Sequence, residues 1–249
     1  MKIISKILPV ALSFGLVVSL AGCAQQSGLK DKTKLIVSTN ATFEPFEYMD
    51  NNQVVGIDVD ISQKIADDLG ATLQINNMNF DSIIPAVSTG KVDIGVAGIS
   101  KDPDREKSVD FSEPYYDASQ VIIVKKDNTT IKSKEDLKDK KVGVQKATTG
   151  DDVATDLVGD ANVTRFQAST DAITALKQGK VDAVVIDSFP AKVFIGQNSD
   201  LQIVGDPLTS EQYCIAVRKG NQELLDAVNK TIKELKSSGQ LDQIIKKYE

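Results

Sequence analysis

Two nearly identical segments, "GKVDIGVAG" at Gly90–Gly98 and "GKVDAVVID" at Gly179–Asp187, constrain this chain more than any other feature. Each follows a helical stretch, turns at a glycine and enters a run rich in valine and isoleucine. A glycine just past the last helical turn takes the left-handed conformation that ends a helix. A continuous apolar run is the mark of a strand covered on both faces. The chain therefore repeats one helix, turn and buried-strand unit. The shared "GKVD" favours two similar lobes over two unrelated units that converged on the same local solution.

The surrounding pattern agrees. "KLIVST" reads as a strand. Ile57, Ile61, Ile65 and Leu69 recur every four residues and are followed by Gly70, which predicts a helix and its stop. "TLQIN" is the next strand. Asp81 is placed to cap a helix over Ser82–Thr89, and "VDIGVAGI" and "ASQVIIVKK" are expected as strands. The order then restarts with strand "KKVGVQ", a helix over Asp151–Leu157, strand "NVTRFQ", a helix over Asp171–Gln178 and strand "VDAVVID". A strand "QYCIAVRKG" and helices over Gln222–Ser237 and Leu241–Tyr248 complete the chain. Strands alternating with helices predict an α/β fold in which each lobe is a mostly parallel sheet flanked by helices. If the final segment returns to the first lobe, two strands cross between lobes, near Ser119–Lys125 and near Leu208–Ala216. Lobe 1 is then 34–120 plus 213–249 and lobe 2 is 121–212, joined by a hinge that opens and closes a cleft.

Residues 1–22 stand apart. Lys2 and Lys6 precede an apolar run over Ile7–Val18, too short to span a bilayer, and "SLAGC" follows. This reads as a secretory leader. Ala21 and Gly22 directly before Cys23 resemble the bacterial lipoprotein signal, in which the cysteine becomes the lipidated first residue. Residues 23–33, polar and without periodicity, suit a tether from membrane to domain.

Composition removes several classes of function. With 29 basic against 35 acidic residues the net charge is −6, and loss of the leader takes two more lysines. Phosphate recognition needs clustered Lys and Arg, so nucleic acid is not an expected partner. The chain has no histidine, which excludes His-based triads and His metal ligands. Its Asp-rich segments lack the spacing of a calcium loop, and no cofactor is expected. With Cys23 lipidated, Cys214 has no partner and reads as a small buried apolar residue.

In parallel α/β sheets, ligands sit beyond the carboxyl ends of the strands. Asn40 and Phe43 follow the first strand. Gly98, Ser100 and Arg105 follow "VDIGVA". Gln145 ends "KKVGVQ", Thr148 and Thr149 lead into a helix, and Asp187 ends "VDAVVI". Arg105 offers a planar fork for a carboxylate. A helix start at Thr149 attracts an anion. Asp187, from the other lobe, suits an ammonium. Glycine at 98 lets backbone approach a ligand closely. A carboxylate and an ammonium a bond or two apart describe an α-amino acid. Each residue also has a plainer reading: Arg105 as a surface arginine, Asp187 and Thr148 as helix caps, Phe43 and Phe80 as core.

"TNATFEPFEY", "VVGIDVDISQKIADDLG", "FDSIIPAVSTGKVDIGVAGISKDPDREKSVDFSEPYY", "KVGVQKATTG", "GKVDAVVIDS" and "EQYCIAVRKGN" together resemble the polar amino acid-binding proteins of ATP-driven uptake transporters. The resemblance covers Lys34 to Tyr248 and implies a two-lobe, type II periplasmic-binding-protein-like fold. It implies that Arg105, with Ser100 and Thr149, binds the ligand carboxylate, that Asp187 and the Gly98 backbone hold the ammonium, and that Phe43 and Phe80 pack on the ligand side chain. Many relatives carry aspartate where Asn40 stands, which points away from a strongly cation-selective pocket. Gln145 and Gln120 are further polar candidates, and Lys146 a cation that could face an acidic side chain. The expected function is a lipid-anchored, monomeric receptor on the extracytoplasmic face of the cell membrane, delivering a polar amino acid to permease subunits. Glutamine and arginine rank ahead of glutamate.

Two other readings remain. A few dehydratases resemble this scaffold, and Glu44 and Glu47 would be their acid–base candidates, although both are expected to face solvent. The sensor lobe of a signalling receptor would continue into a spanning helix, whereas this chain stops at Glu249.

Overall fold

A computed structural model describes residues 33–248. The leader, Cys23 and the tether up to Lys32 lie outside them. Two five-stranded sheets organise the chain. The first runs in the order Thr72–Asn77, Lys34–Thr39, Ile94–Gly95, Ala216–Arg218, Val109–Phe111. The second runs Val163–Phe166, Val142–Gln145, Ala183–Asp187, Gln120–Lys125, Leu201–Val204. The two orders are equivalent when Lys34–Thr39 is matched to Val142–Gln145, although the opposing strand comes last along the chain in the first sheet and first in the second. In both, one strand opposes the rest: Ala216–Arg218 in the first sheet and Gln120–Lys125 in the second. These are the strands that enter each lobe immediately after the chain has crossed from the other. The two "GKVD" segments lead into equivalent third strands, Ile94–Gly95 and Ala183–Asp187.

Packing follows the sequence periodicity. Ile57, Ile61 and Ile65 of the helix Ile57–Asp68 are fully buried, together with Leu35 and Val37 of the strand beneath. In the second sheet Ile122, Val124, Val142 and Val144 are likewise buried. Strands apolar at successive positions are covered by helices on both faces.

The crossings form an antiparallel ribbon of Tyr116–Ala118 and Glu211–Tyr213, separate from both sheets. The first crossing thus lies just before the expected Ser119–Lys125, whose apolar run belongs to the second sheet. The predicted strand "QYCIAVRKG" is two strands, Glu211–Tyr213 and Ala216–Arg218, because the chain leaves the ribbon at Cys214 to enter the first sheet. Cys214 itself is buried, as expected, and burial pushes its thiol up to about 11.

Other expectations are corrected. Asp81 does not cap the helix Ile83–Ser88; Ser82 occupies the cap position and Asp81 pairs with Lys146 at 2.9 Å across the cleft. Of "VDIGVAGI", only Ile94–Gly95 stays in the sheet, since the chain turns away towards Gly98. The small sheet of Thr42–Phe43, Glu47–Asp50 and Gln53–Val55, the helix Ser188–Gln197 and the strand Leu201–Val204 are additional. Pro190 lies in the first turn of that helix, where its missing N–H costs nothing.

Candidate ligand-binding cleft

The strand ends of the two lobes face one another across a nearly closed cleft. Lobe 1 lines it with Asn40, Phe43, Phe80, Gly98, Ser100 and Arg105, and lobe 2 with Gln145, Thr148, Thr149 and Asp187. The structure therefore brings every one of these candidates to one place. It adds Glu47 and Ala97. Gln120 is buried beside Gly150 and is not among the lining residues.

Arg105 begins a short helical turn, Arg105–Lys107, and its side chain is only 12% exposed, so it is no surface arginine. Its Nε meets Asp102 Oδ2 at 2.9 Å and its Nη1 donates to the Ser100 carbonyl at 2.7 Å. Nη2 donates across the cleft to the Ala147 carbonyl at 3.0 Å. The guanidinium stands 5.5 Å from the centroid of the Phe80 ring, a cation–π distance. One edge of the fork is thus fixed by its own lobe while the other meets the start of the helix Thr149–Val158. Thr148 caps that helix, accepting from the Asp151 N–H at 3.3 Å. Thr149 is its first residue, so unpaired N–H groups and the positive end of the helix dipole face the same side as Arg105.

Asp187 occupies the cap position of Ser188–Gln197 but makes no capping bond. Its carboxylate instead accepts from the Tyr213 hydroxyl, on the ribbon. At 7% exposure, burial pushes its carboxyl up to about 7; the Tyr213 bond opposes this and the nearby Glu211 adds to it. The Ser100 hydroxyl donates to Glu211, so it is committed within the protein.

Glu47 faces inwards, contrary to expectation. It is 1% exposed, and its carboxyl meets the Asp58 carboxyl rather than a neutral donor. Burial raises its carboxyl well above the usual range, and Asp58 and Asp187 push the same way. Asp58, also buried, accepts from the Gly98 N–H at 2.8 Å and the Tyr115 hydroxyl at 3.0 Å. It was invisible as a site residue because its place in the helix Ile57–Asp68 reads as an ordinary first-turn acid. Glu44 stays at the rim and accepts from Gln197 at 3.1 Å.

At the far side, Gln145 Nε2 donates to Asn40 Oδ1 at 2.8 Å, and Asn40 Nδ2 donates to the Met78 carbonyl at 2.8 Å. Lys146 does not point into the cleft; it is half exposed and held by Asp81 at the rim. With the Arg105, Gln145 and Lys146 contacts, and Ser169 donating to the Thr42 carbonyl at 2.9 Å, the lobes touch across the cleft.

Gly98 has φ 53, and a Cβ there would lie 2.9 Å from the Phe43 ring and 3.2 Å from Tyr213. Gly98→Ala is expected to lower the unfolding free energy by roughly 1–3 kcal/mol, the cost of a side chain in this backbone region. Urea unfolding checks it; an unchanged midpoint would show that the turn relaxes freely.

Two similar lobes meeting at their strand ends, with a cation on one and an acid on the other, define a two-lobed ligand-binding protein. The chain belongs to the bacterial extracellular solute-binding proteins, family 3, whose pattern it matches over residues 35–249. It is 34% identical over 248 residues to the arginine-binding extracellular protein ArtP of Bacillus subtilis, covering 97% of this chain and 96% of that one. Its fold superposes with a TM-score of 0.83 and 45% identity on a mutant of ArgBP from T. maritima, covering 87% of this chain and 95% of the other. The amino acid ABC transporter substrate-binding protein AbpA of Streptococcus pneumoniae, solved with L-arginine, gives a TM-score of 0.84 and 40% identity over 88% and 96% of the two chains. The chain is thus an extracytoplasmic member of the amino acid-binding proteins that serve ABC transporters. Its relatives are binding proteins, and the dehydratase reading is set aside.

Proposed function

We propose that this protein is a lipid-anchored receptor that closes on a polar L-amino acid and delivers it to the permease of an uptake transporter. The observation that carries the reading is the placement of Arg105 and Asp187, from separate lobes, on one cleft. Arg105, Thr149 and the helix start behind it receive the carboxylate. Asp187 and the Gly98 backbone receive the ammonium. Phe43 and Phe80 pack on the side chain, with Asn40, Gln145 and Thr148 at its polar end. Cys23 carries the anchor, residues 24–33 tether a monomeric domain to it, and the lobes divide near residues 120 and 212, hinging on the ribbon.

Among polar amino acids, a cationic side chain is favoured. ArtP of Bacillus subtilis and ArgBP of T. maritima, both named for arginine, match over 97% and 87% of this chain. The names of the relatives support this ranking, which moves arginine ahead of glutamine. A thermal-shift screen of the mature domain against the common amino acids, cystine and ornithine tests it, since a ligand at 100 times its Kd stabilises by about 2.7 kcal/mol. L-arginine is expected to give the largest rise in Tm. A larger rise with glutamate would overturn the ranking, and no rise with any amino acid would overturn the function.

A further inference from the structure

The buried acids behind the ammonium end of the cleft carry a further conclusion, which rests on the amino acid reading above. Glu47, Asp58 and Asp187 come from three different elements: the strand Glu47–Asp50, the helix Ile57–Asp68 and the strand Ala183–Asp187. All three are buried. Glu47 and Asp58 meet carboxyl to carboxyl, and no neutral donor reaches either oxygen of Glu47 or Oδ1 of Asp58. The groups that do face them are neutral donors or further acids. Tyr115 and the Gly98 N–H serve Asp58, Tyr213 serves Asp187, and Glu211 stands close to Asp187. Arg105, the arginine of the same cleft, spends its fork on Asp102 and the carbonyls of Ser100 and Ala147.

An ionised carboxylate removed from water without a counter-charge costs many kcal/mol, and in practice such a group keeps its proton. Acids that share a site cannot all ionise and titrate as one unit. With no counter-charge of the protein's own beside them, these acids hold protons. A ligand ammonium supplies that cation, and an opposite charge within about 4–6 Å lowers a carboxyl's pKa by about 1–3 units.

We propose that Glu47 is a further binding residue of the ammonium end, acting with Asp58 and Asp187 as a buried acid cluster that gives up a proton as the ligand's ammonium enters. The ammonium keeps its own protons. The proton lost from the cluster passes to the buffer, and the site exchanges one positive charge for another. The directions of titration agree: burial lifts Asp58 to about 6 and Asp187 to about 7, and Glu47 well above its usual range. Because protons leave on binding, affinity rises with pH while the cluster titrates, and the window runs from about pH 5.5 to 7.5.

Isothermal titration of the mature protein with L-arginine and with L-glutamine, at pH 7 in phosphate and in Tris, reads the exchange directly. The two buffers take up a proton with different heats. The expected result is a buffer-dependent enthalpy equivalent to about half a proton released per ligand, with Kd tightening about tenfold from pH 5.5 to 7.5. Glu47→Gln is expected to lower the release to half or less. Equal enthalpies in the two buffers for the wild type would overturn the proposal while leaving amino acid binding intact. So would a Glu47→Gln protein that releases as many protons as the wild type. Should that variant not fold, the wild-type comparison decides alone. No heat and no thermal shift with either amino acid would overturn both this inference and the function it rests on.

Discussion

Replacing Arg105 by alanine is expected to weaken amino acid binding at least about 30-fold, and Asp187→Ala by at least as much. In the closed cleft each group lies where water is largely excluded. Removing one member of a buried charged pair leaves the other desolvated and unmatched, which costs about 2–5 kcal/mol. The lower bound of that range is about 30-fold in Kd. Arg105→Ala also removes the Nη2 contact to the Ala147 carbonyl, one of the bonds that join the lobes. Asp187→Ala in addition strands the Tyr213 hydroxyl, which has Asp187 as its acceptor inside the protein. Arg105→Lys keeps the charge but loses the bidentate fork, and is expected to fall between wild type and alanine. Titration calorimetry measures all three, and near-wild-type affinity in either alanine variant would remove that residue from the site.

Phe46→Ala is expected to lower the unfolding free energy by about 3–5 kcal/mol, the range for emptying a large aromatic site in a core. Phe46 is fully buried. Its ring centroid lies 4.9 Å from Tyr116, 5.0 Å from Tyr213, 5.7 Å from Phe189 and 6.0 Å from Phe43. Three of these are edge-on contacts, each worth about 0.5–1.5 kcal/mol beyond burial. Those partners belong to three parts of the molecule: Tyr116 and Tyr213 to the ribbon, Phe189 to the second lobe and Phe43 to the cleft wall. The loss therefore falls on the junction of the lobes as well as on stability, and ligand affinity is expected to drop with it. Urea unfolding followed by circular dichroism gives the first number, and a change under about 1 kcal/mol would mean that neighbouring rings refill the space.

The parts of this fold that were legible in the sequence are those governed by local rules. A glycine stop after a helix and a valine-rich strand after it are written within a dozen residues, so the two "GKVD" units located the third strand of each sheet. Strand ends then led to Arg105, Asp187 and the other lining residues, because a parallel sheet fixes where its loops gather. What escaped notice depends on neighbours distant in the chain. Glu47 reads as a solvent-facing acid in "EPFEY", yet the small sheet around Phe43 turns it inwards against Asp58 and Asp187. Asp81 obeys the local rule for a helix cap, but Lys146 of the other lobe claims its carboxylate. No pattern in "QYCIAVRKG" marks Cys214 as the point where the chain passes from ribbon to sheet.

The opposing strand of the first sheet has a consequence for how the molecule is made. Every strand of the second sheet comes from one unbroken stretch, Gln120 to Val204. The first sheet, by contrast, awaits Ala216–Arg218, which slots between Ile94–Gly95 and Val109–Phe111. On a chain emerging from the ribosome, the later-encoded lobe has all its strands before the earlier-encoded one does. The residues of the first lobe must wait, with a gap in mid-sheet, until Ala216–Arg218 has been made.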